Sequence, residues 1–305
     1  MHLVCRHGWS VLALGVLASS GCSVAVAGSP ARPPISQYGQ PATRQPADAQ
    51  AQAAAEQPIA LAGQSPSPTP APSPSRPAPH STPAARPLVG KIIGIDPGHN
   101  GRNKDDPSYI DRQIWNGREW ENCDTTGTET GSGYTEARFN FNVATDLKAD
   151  LIKDGAKVVM TRHSNNGVGP CVNKRAEIIN HARANVSIDI HADGGPAWGR
   201  GFTVLEPVAD GQNNKVIKSS VRFGSDVRAA ILKDTSMPES DYYGHHGIIV
   251  RNDLAGLNLT RVPKILIESG NMRNSTDARV LTRPSFQRRL ARAFAAAIVK
   301  FLTGK

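Results

Sequence analysis

The sequence predicts a single α/β domain, built on a mostly parallel, twisted sheet with helices on both faces. Short runs of β-branched and aliphatic residues alternate with longer segments of helical periodicity, the order typical of a parallel sheet. The chain has 305 residues and 23 prolines, and 15 of those prolines fall within residues 28–87. Only residues 88–305 therefore have the composition of a folded domain, and they are numerous enough to bury one core.

The sheet is predicted from short apolar runs, which are Lys91–Ile95, Lys157–Met160, Val186–Ile190, Phe202–Leu205, Ile248–Val250 and Lys264–Ile267. Apolar residues at spacings of three and four predict the helices, which are Thr135 to Gly155, Asn173 to Ala184 with Asn173 as the cap, Lys215–Leu232, and Pro284–Leu302. Residues 100–133 are rich in Gly, Asn, Thr and Asp without a helical period, so we predict one long loop there.

The residues that precede the domain predict export. Residues 1–27 resemble an export signal, because a positive charge precedes the apolar run Val11–Ala18, which is too short to span a bilayer. Cleavage after Ala27 would release the protein, whereas lipid attachment at Cys22 would tether it to a membrane. Residues 28–87 are rich in Pro, Ala and Ser, which predicts a disordered linker. We expect a protein of the periplasm or cell wall under either outcome.

The net charge of +9 bears on the partners of the protein. A positive surface attracts polyanions such as acidic wall polymers or anionic lipid headgroups, and an unpartnered solvated surface is the alternative. No cluster of Lys and Arg interleaved with aromatic residues is present, so we predict no nucleic-acid partner. No motif indicates an oligomer, and we expect a monomer.

Four chemically capable side chains are predicted to meet at one edge of the sheet. His99, His191 and Glu268 follow the carboxyl ends of separate apolar runs, where ligands bind in open α/β sheets. Glu136 lies in the first turn of a predicted helix. Two imidazoles and a carboxylate suffice for a catalytic zinc site, and a further carboxylate could transfer protons. Their spacing matches no short zinc motif, so ordinary surface or capping residues remain an alternative.

Four segments in order resemble the zinc-dependent N-acetylmuramoyl-L-alanine amidases, which are bacterial cell-wall hydrolases. These segments are residues 95–101 (IDPGHNG), 135–136 (TE), 187–193 (SIDIHAD) and 266–272 (LIESGNM). The resemblance extends from Leu88 to the C-terminus. Within the family, the chain most resembles the short, exported, single-domain members from actinobacteria. The resemblance implies a carboxypeptidase-like, zinc-exopeptidase-like fold and a peptidoglycan or muropeptide substrate. The bond cut would be the amide between N-acetylmuramic acid and L-alanine.

The resemblance also implies roles for individual residues. His99, Glu136 and His191 would bind Zn²⁺, and Glu268 would act as general base and acid. Asp96 could orient His99 through a ring nitrogen.

The chain departs from the family pattern at two positions near these residues. Asn100 stands where the family mostly has Gly, and Asp189 stands where Ser is common. Asp189 and His191 share a strand face, so Asp189 is expected to add negative charge near the metal or to hydrogen-bond to a ligand.

Several other residues have two interpretations. Arg251 and Asn258 could contact substrate at the rim of the site, Arg251 through a peptide carboxylate, but a surface arginine is the alternative. Trp115, Trp120 and Trp198 could stack on sugar or peptide, or could be partly buried under loops. Cys123 and Cys171 are the only cysteines after residue 87. Export favours a disulfide between them, with two buried free thiols as the alternative.

Two rival functions stay open at this point. A zinc peptidase would cut within the stem peptide, and a non-catalytic wall-binding module would keep zinc for structure. The second rival is weakened because structural zinc sites usually have four protein ligands, and the sequence offers three well-placed ones.

Overall fold

The computed structural model describes residues 86–304. These residues lie in one compact unit. The predicted export signal and nearly all of the predicted linker lie outside the described residues. Within the described part of the chain, none of the helices combines the length and the apolar character that crossing a membrane requires.

Eight strands are present in the described residues: β1 (Ile92–Pro97), β2 (Gln113–Trp115), β3 (Trp120–Asn122), β4 (Lys157–Met160), β5 (Val186–Asp193), β6 (Thr203–Pro207), β7 (Ile248–Arg251) and β8 (Lys264–Asn271). The helices are α1 (Pro107–Ile110), α2 (Glu136–Lys153), α3 (Val172–His181), α4 (Ile217–Asp234), α5 (Ala255–Asn258), α6 (Ser275–Leu281) and α7 (Pro284–Thr303). Two short 3-10 turns cover Asn103–Asp105 and Asn214–Val216.

The central sheet has the strand order β4-β1-β5-β8-β6-β7. Strands β4, β1, β5 and β8 are parallel, whereas β6 is antiparallel to β8 and parallel to β7. The predicted mostly parallel sheet is therefore confirmed, and the structure adds one reversal of direction between β8 and β6.

The two faces of the sheet differ in polarity. Helices α2, α4 and α7 cover an apolar face, to which β1 contributes Ile93 and Ile95 and β5 contributes Ile188 and Ile190. Helices α3 and α5 lie on the other side, where the alternating residues of the same strands are polar. Helices on both faces are confirmed, and the polar face is where the candidate site lies.

The structure corrects three predictions of local structure. Residues 100–133 are not one loop, because they contain α1 and the β2–β3 hairpin. Helix α3 begins at Val172, one residue before the predicted cap, and Cys171 takes the cap position. Helix α6 was not predicted; Asn274 caps it by accepting hydrogen bonds from the backbone N–H groups of residues 276 and 277.

Candidate active site

Strand pairing places two of the predicted functional residues side by side. His191 on β5 and Glu268 on β8 are register partners in the parallel pair. Side chains of register partners project from the same face of a sheet, and here that face is the polar one. The prediction that these residues meet at the carboxyl edge is confirmed.

The turn after β1 brings His99 against His191. His99 has a left-handed backbone (φ 56°), and the two imidazole rings lie 4.8 Å apart, nearly perpendicular at 86°. Gly98 permits this approach, since a Cβ there would lie 2.1 Å from the His191 ring. The Gly-His sequence is thus required by the closeness of the two rings.

Glu136, the first residue of α2, joins the two histidines. Its Oε1 lies 2.8 Å from Nδ1 of His191, and its Oε2 lies 3.3 Å from Nε2 of His99. The backbone N–H groups of Thr128 and Ala192 also donate to this carboxylate. One donor atom from each of His99, Glu136 and His191 lies within 4.8 Å of the others. We call these three residues the ligand cluster.

Charge holds the ligand cluster together. Burial would raise the pKa of Glu136, but the neighbouring His99 charge and the hydrogen bond with His191 keep it well below its usual range. Burial would lower the pKa of His99, but the charge of Glu136 and a hydrogen bond with Asp124 outweigh it and raise this pKa to about 9. The pKa of His191 is likewise raised, against burial, by Asp189 and Glu136. The environment therefore favours positive charge at this point.

Each histidine of the ligand cluster has a carboxylate on its outer nitrogen. Nδ1 of His99 lies 3.1 Å from Oδ1 of Asp124, and Nε2 of His191 lies 3.3 Å from Oδ1 of Asp189. Asp189 thus lies beside the ligand cluster, and its contribution of negative charge there stays a prediction. Sequence reasoning missed Asp124, whose only signal was its place next to Cys123.

The expectation that Asp96 orients His99 is wrong. The carboxylate of Asp96 accepts from Thr161 Oγ1 at 2.6 Å, from Lys264 Nζ at 2.7 Å and from Arg175 Nη1 at 3.2 Å. Asp96 lies within β1, and its side chain contacts these buried cations on the polar face of the sheet. His99 lies two residues after the end of the strand. The role of Asp96 is to neutralise buried cations.

A network of buried ion pairs lies on the polar face of the sheet, next to the ligand cluster. Lys264, 2% exposed, reaches both Asp96 and Asp189, with 3.1 Å from its Nζ to Oδ2 of Asp189. Arg175 donates to both Asp96 and Asp124. The two carboxylates that face the histidines are therefore each held by a buried cation.

Glu268 stands apart from this network. Its Oε2 is buried and has no hydrogen-bond partner among residues 86–304. Burial raises the pKa of Glu268 to about 8, although the nearby His191 acts in the opposite direction. An unpaired carboxyl group with a pKa near neutrality is suited to accept and return a proton.

A pocket of about 260 Å³ opens over these residues. His99, His191 and Glu268 line it together with the carboxylates of Asp96, Asp124 and Asp189, with Arg251, and with apolar residues of β6, α5 and β8. A substrate in this pocket would contact both histidines and Glu268.

Comparison with known proteins identifies the family. The profile of the N-acetylmuramoyl-L-alanine amidase family matches residues 93–300. The N-acetylmuramoyl-L-alanine amidase Rv3717 of Mycobacterium tuberculosis (strain ATCC 25618 / H37Rv) is 39% identical over 223 residues, which cover 73% of this chain and 90% of that protein. This chain belongs to the N-acetylmuramoyl-L-alanine amidase family. It is a peptidoglycan amidase.

Solved structures agree with this assignment. The N-acetylmuramyl-L-alanine amidase Ami1 from Mycobacterium smegmatis matches with a TM-score of 0.67 at 36% identity, covering 72% of this chain and 99% of that one. The apo form of Ami1 from Mycobacterium abscessus gives a TM-score of 0.65 at 37% identity, covering 71% and 100%. The predicted family, its actinobacterial likeness and its fold are confirmed.

The two residues predicted to contact substrate differ in position. Arg251 of the amidase lines the pocket, where its guanidinium forms a two-bond pair with Asp253 (2.6 and 2.7 Å) and also contacts the Tyr243 hydroxyl. Asn258 is fully buried, and its amide donates to the Asn252 carbonyl at 2.8 Å. The prediction that Asn258 contacts substrate is therefore wrong, because this side chain braces a loop instead.

The loops around the amidase site are tied together covalently and by hydrogen bonds. Cys123 and Cys171 form a disulfide, which confirms the predicted bridge and places Asp124 directly beside it. Asn100 is buried, donates to the Gly169 carbonyl at 2.8 Å and accepts from the Gly101 and Gly167 N–H groups. The departure from Gly at this position thus stabilises the loop and leaves the ligand cluster unchanged.

The three tryptophans among residues 86–304 are not buried under loops. Trp115, Trp120 and Trp198 are 46%, 65% and 73% exposed. The first two form a cross-strand pair on the β2–β3 hairpin. Trp198 lies on the loop that follows β5, and β5 is the strand that carries His191.

Proposed function

We propose that the amidase opens the bond between the lactyl group of N-acetylmuramic acid and L-alanine with the help of a zinc ion held by His99, Glu136 and His191. The observation that carries this proposal is the convergence of one donor atom from each residue within 4.8 Å. Two imidazole nitrogens and one carboxylate form the donor set typical of catalytic zinc, which leaves a fourth position for water or substrate.

The chemistry is divided between the ion and the chain. When bound, zinc acts as a Lewis acid that polarises a carbonyl and makes water acidic near neutral pH. Glu268 takes the proton of the attacking water on its buried, unpartnered Oε2. The same carboxyl then donates that proton to the leaving nitrogen of L-alanine, for which a pKa near neutrality is required. Asp124 holds the His99 ring through its contact with Nδ1, and the Asp189 carboxylate lies 3.3 Å from Nε2 of His191.

The pocket supports a place for the stem peptide. Arg251 and four leucines line it together with Glu268; the leucines are Leu205, Leu254, Leu257 and Leu266. The guanidinium of Arg251 could bind a peptide carboxylate, with Asp253 keeping the side chain in position. The stem peptide would then lie over the apolar surface of the leucines.

Export follows from the same substrate. A peptidoglycan amidase acts outside the cytoplasm, in agreement with the signal-like residues 1–27. We propose that the linker is a spacer between the export signal and the domain. If Cys22 is lipidated, this spacer would keep the domain at a distance from a membrane.

Product analysis of purified muropeptide tests the proposal. The zinc-loaded protein is expected to release an intact stem peptide beginning with L-alanine, and a chelator is expected to stop this release. Glu268→Gln should retain zinc yet turn over about 10²- to 10⁴-fold more slowly, whereas His191→Ala should lose both zinc and activity. Glu177→Gln, a change at an exposed position on α3, serves as the matched control.

The same assay distinguishes the rival functions. Cleavage inside the stem peptide would identify a zinc peptidase, and binding of muropeptide without any product would identify a binding module. Turnover by Glu268→Gln at the parental rate would refute the role of Glu268.

A further inference from the structure

We propose that Trp198 and Tyr242 form a stacking platform for the glycan strand of the substrate. This inference rests on the proposed function, because it assigns a second part of the same substrate to a surface outside the pocket. Trp198 is 73% exposed, and its indole meets the Tyr242 ring edge-on with 6.5 Å between centroids. Neither ring is among the residues that line the pocket.

The backbone around Trp198 is held rigidly although its side chain packs little. The Asn271 amide donates to the carbonyls of Pro196 and Gly199, both at 2.8 Å. The Asn274 amide donates to the Ala197 carbonyl at 3.0 Å. Residues on both sides of Trp198 are thus fixed by the segment that begins at the end of β8. A large aromatic side chain that is exposed but preorganised loses little entropy on binding a ligand.

The platform is directly connected to the ligand cluster. The Tyr242 hydroxyl donates to Asp193 at 2.6 Å, two residues after His191 on β5. Gly194 lies close to Thr128, since a Cβ at Gly194 would be 2.6 Å from Oγ1 of Thr128. The Thr128 N–H in turn donates to Glu136. Short contacts therefore join the platform to the strand that carries His191 and to the loop that donates to Glu136.

Two glycines of the Trp198 loop let the Tyr242 ring lie against the backbone of that loop. A Cβ at Gly195 would lie 2.3 Å from the Tyr242 ring, and one at Gly199 would lie 2.5 Å from it. Tyr242 consequently lies against bare backbone, with no side chain projecting between it and Trp198 from these positions.

A polar groove also lies next to the ligand cluster. The groove, of about 320 Å³, is lined by Thr126, Thr128, Glu129, Lys104 and Arg273 among others. It reaches the ligand cluster at Gly127, where a Cβ would lie 2.8 Å from Oε2 of Glu136.

The chemistry of the two surfaces identifies the occupant. Pyranose rings have an apolar face of C–H groups, which stacks on indole, and a rim of hydroxyl and acetamido groups, which suits threonines and charged side chains. The pocket, with its leucines and Arg251, is suited to peptide instead. We therefore assign alternating amino-sugar rings to the platform and groove.

Binding of peptide-free glycan strands tests this assignment, because these strands carry no bond that the enzyme can cut. Trp198→Ala should raise the dissociation constant for such strands about 10-fold. This change corresponds to the loss of one well-packed aromatic contact. Trp198→Phe should restore most of the affinity. Trp120→Ala, which removes an equally exposed ring on the hairpin, should stay within about twofold of the parent.

Free stem peptide is the second probe and should bind all four proteins equally. The assignment is overturned if the parent does not bind glycan strands, if Trp198→Ala binds them as the parent does, or if Trp198→Ala weakens the peptide instead. Hydrolysis of a single-disaccharide muropeptide is measured in parallel. An active parent with unaltered glycan binding in Trp198→Ala refutes only the platform, whereas a zinc-loaded parent without activity refutes the proposed function.

Discussion

Each histidine of the ligand cluster has a carboxylate beside it, which comes from the distant loop residue Asp124 for His99 and from the same strand for His191. A carboxylate on the outer nitrogen of a metal-binding histidine fixes the tautomer and strengthens the donor on the other nitrogen. Asp124 does this for His99 at 3.1 Å, and the strand neighbour Asp189 is in place to do so for His191 at 3.3 Å. The pair makes the inner nitrogens the available ligands.

Asp124→Asn is expected to lower zinc affinity about 10- to 100-fold while leaving the three ligands in place. The amide keeps the size of the side chain but removes the charge that strengthens His99 as a donor. Competition with a chromogenic chelator measures the affinity, and Asp111→Asn, a change at an exposed position directly after α1, is the control. Equal affinity of the Asp124→Asn variant and its parent would contradict this role.

At the scale of elements, the six strands of the central sheet were predicted from their apolar runs, but the carboxyl ends of β5 and β8 were not. The sequence predicted β5 to end at Ile190 and β8 at Ile267, where hydrophobicity stops. Backbone pairing continues to Asp193 and Asn271, because the functional residues themselves are register partners. An apolar run in the sequence predicts the part of a strand that packs in the core. The run ends where the strand continues with the polar residues of the site.

The missed elements were short and depend on tertiary contacts. Helix α1 has four residues and is capped by Asp106. The β2–β3 hairpin is held by contacts more than a hundred residues away, as Glu121 accepts from the Ala255 N–H at 3.2 Å. Local periodicity cannot show such elements. Asp124 was missed for the same reason, since only the folded loop brings it to His99.

Glu206 on β6 gives an element-scale prediction about pH. Its side chain is buried, and its Oε1 has no hydrogen-bond partner within the described part of the chain. Burial raises its pKa to about 6. The folded state therefore keeps this proton to a higher pH than the unfolded chain, so stability falls as pH rises from about 4.5 to 6 and stays reduced above.

Glu206→Gln should remove that loss. The free energy of unfolding of the variant, relative to the parent, is expected to increase by up to about 2 kcal/mol between pH 4.5 and pH 7.5. Urea denaturation at both pH values measures it, with the exposed Glu119→Gln as control. A difference between variant and parent that does not change with pH would contradict the prediction.

At the scale of the whole molecule, the sheet separates stability from function. Its apolar face packs on three long helices, and its polar face carries the ligand cluster above buried Asp96, Asp189 and Lys264. Loops without regular structure complete the site, and the Cys123–Cys171 disulfide joins two of them. The resemblance carried by four short segments predicted the family and the ligands, whereas the supporting network became visible only in the fold.

Removing the disulfide should lower stability more than it disturbs the sheet. The double change Cys123→Ser and Cys171→Ser is expected to reduce the free energy of unfolding by about 2–4 kcal/mol, because the unfolded chain gains freedom. Chemical denaturation of parent and variant, each with and without a reductant, measures it. The reductant should destabilise the parent alone, and equal stability of both proteins without a reductant would show that the bridge adds nothing.

Anomalous diffraction at the zinc absorption edge, from crystals of the zinc-loaded protein, tests the central claim most directly. One strong peak is expected in each molecule, about 2.0–2.2 Å from Nε2 of His99, Nδ1 of His191 and the Glu136 carboxylate. A peak bound by other residues, or no peak between these three side chains in a protein that is still active, would contradict the account.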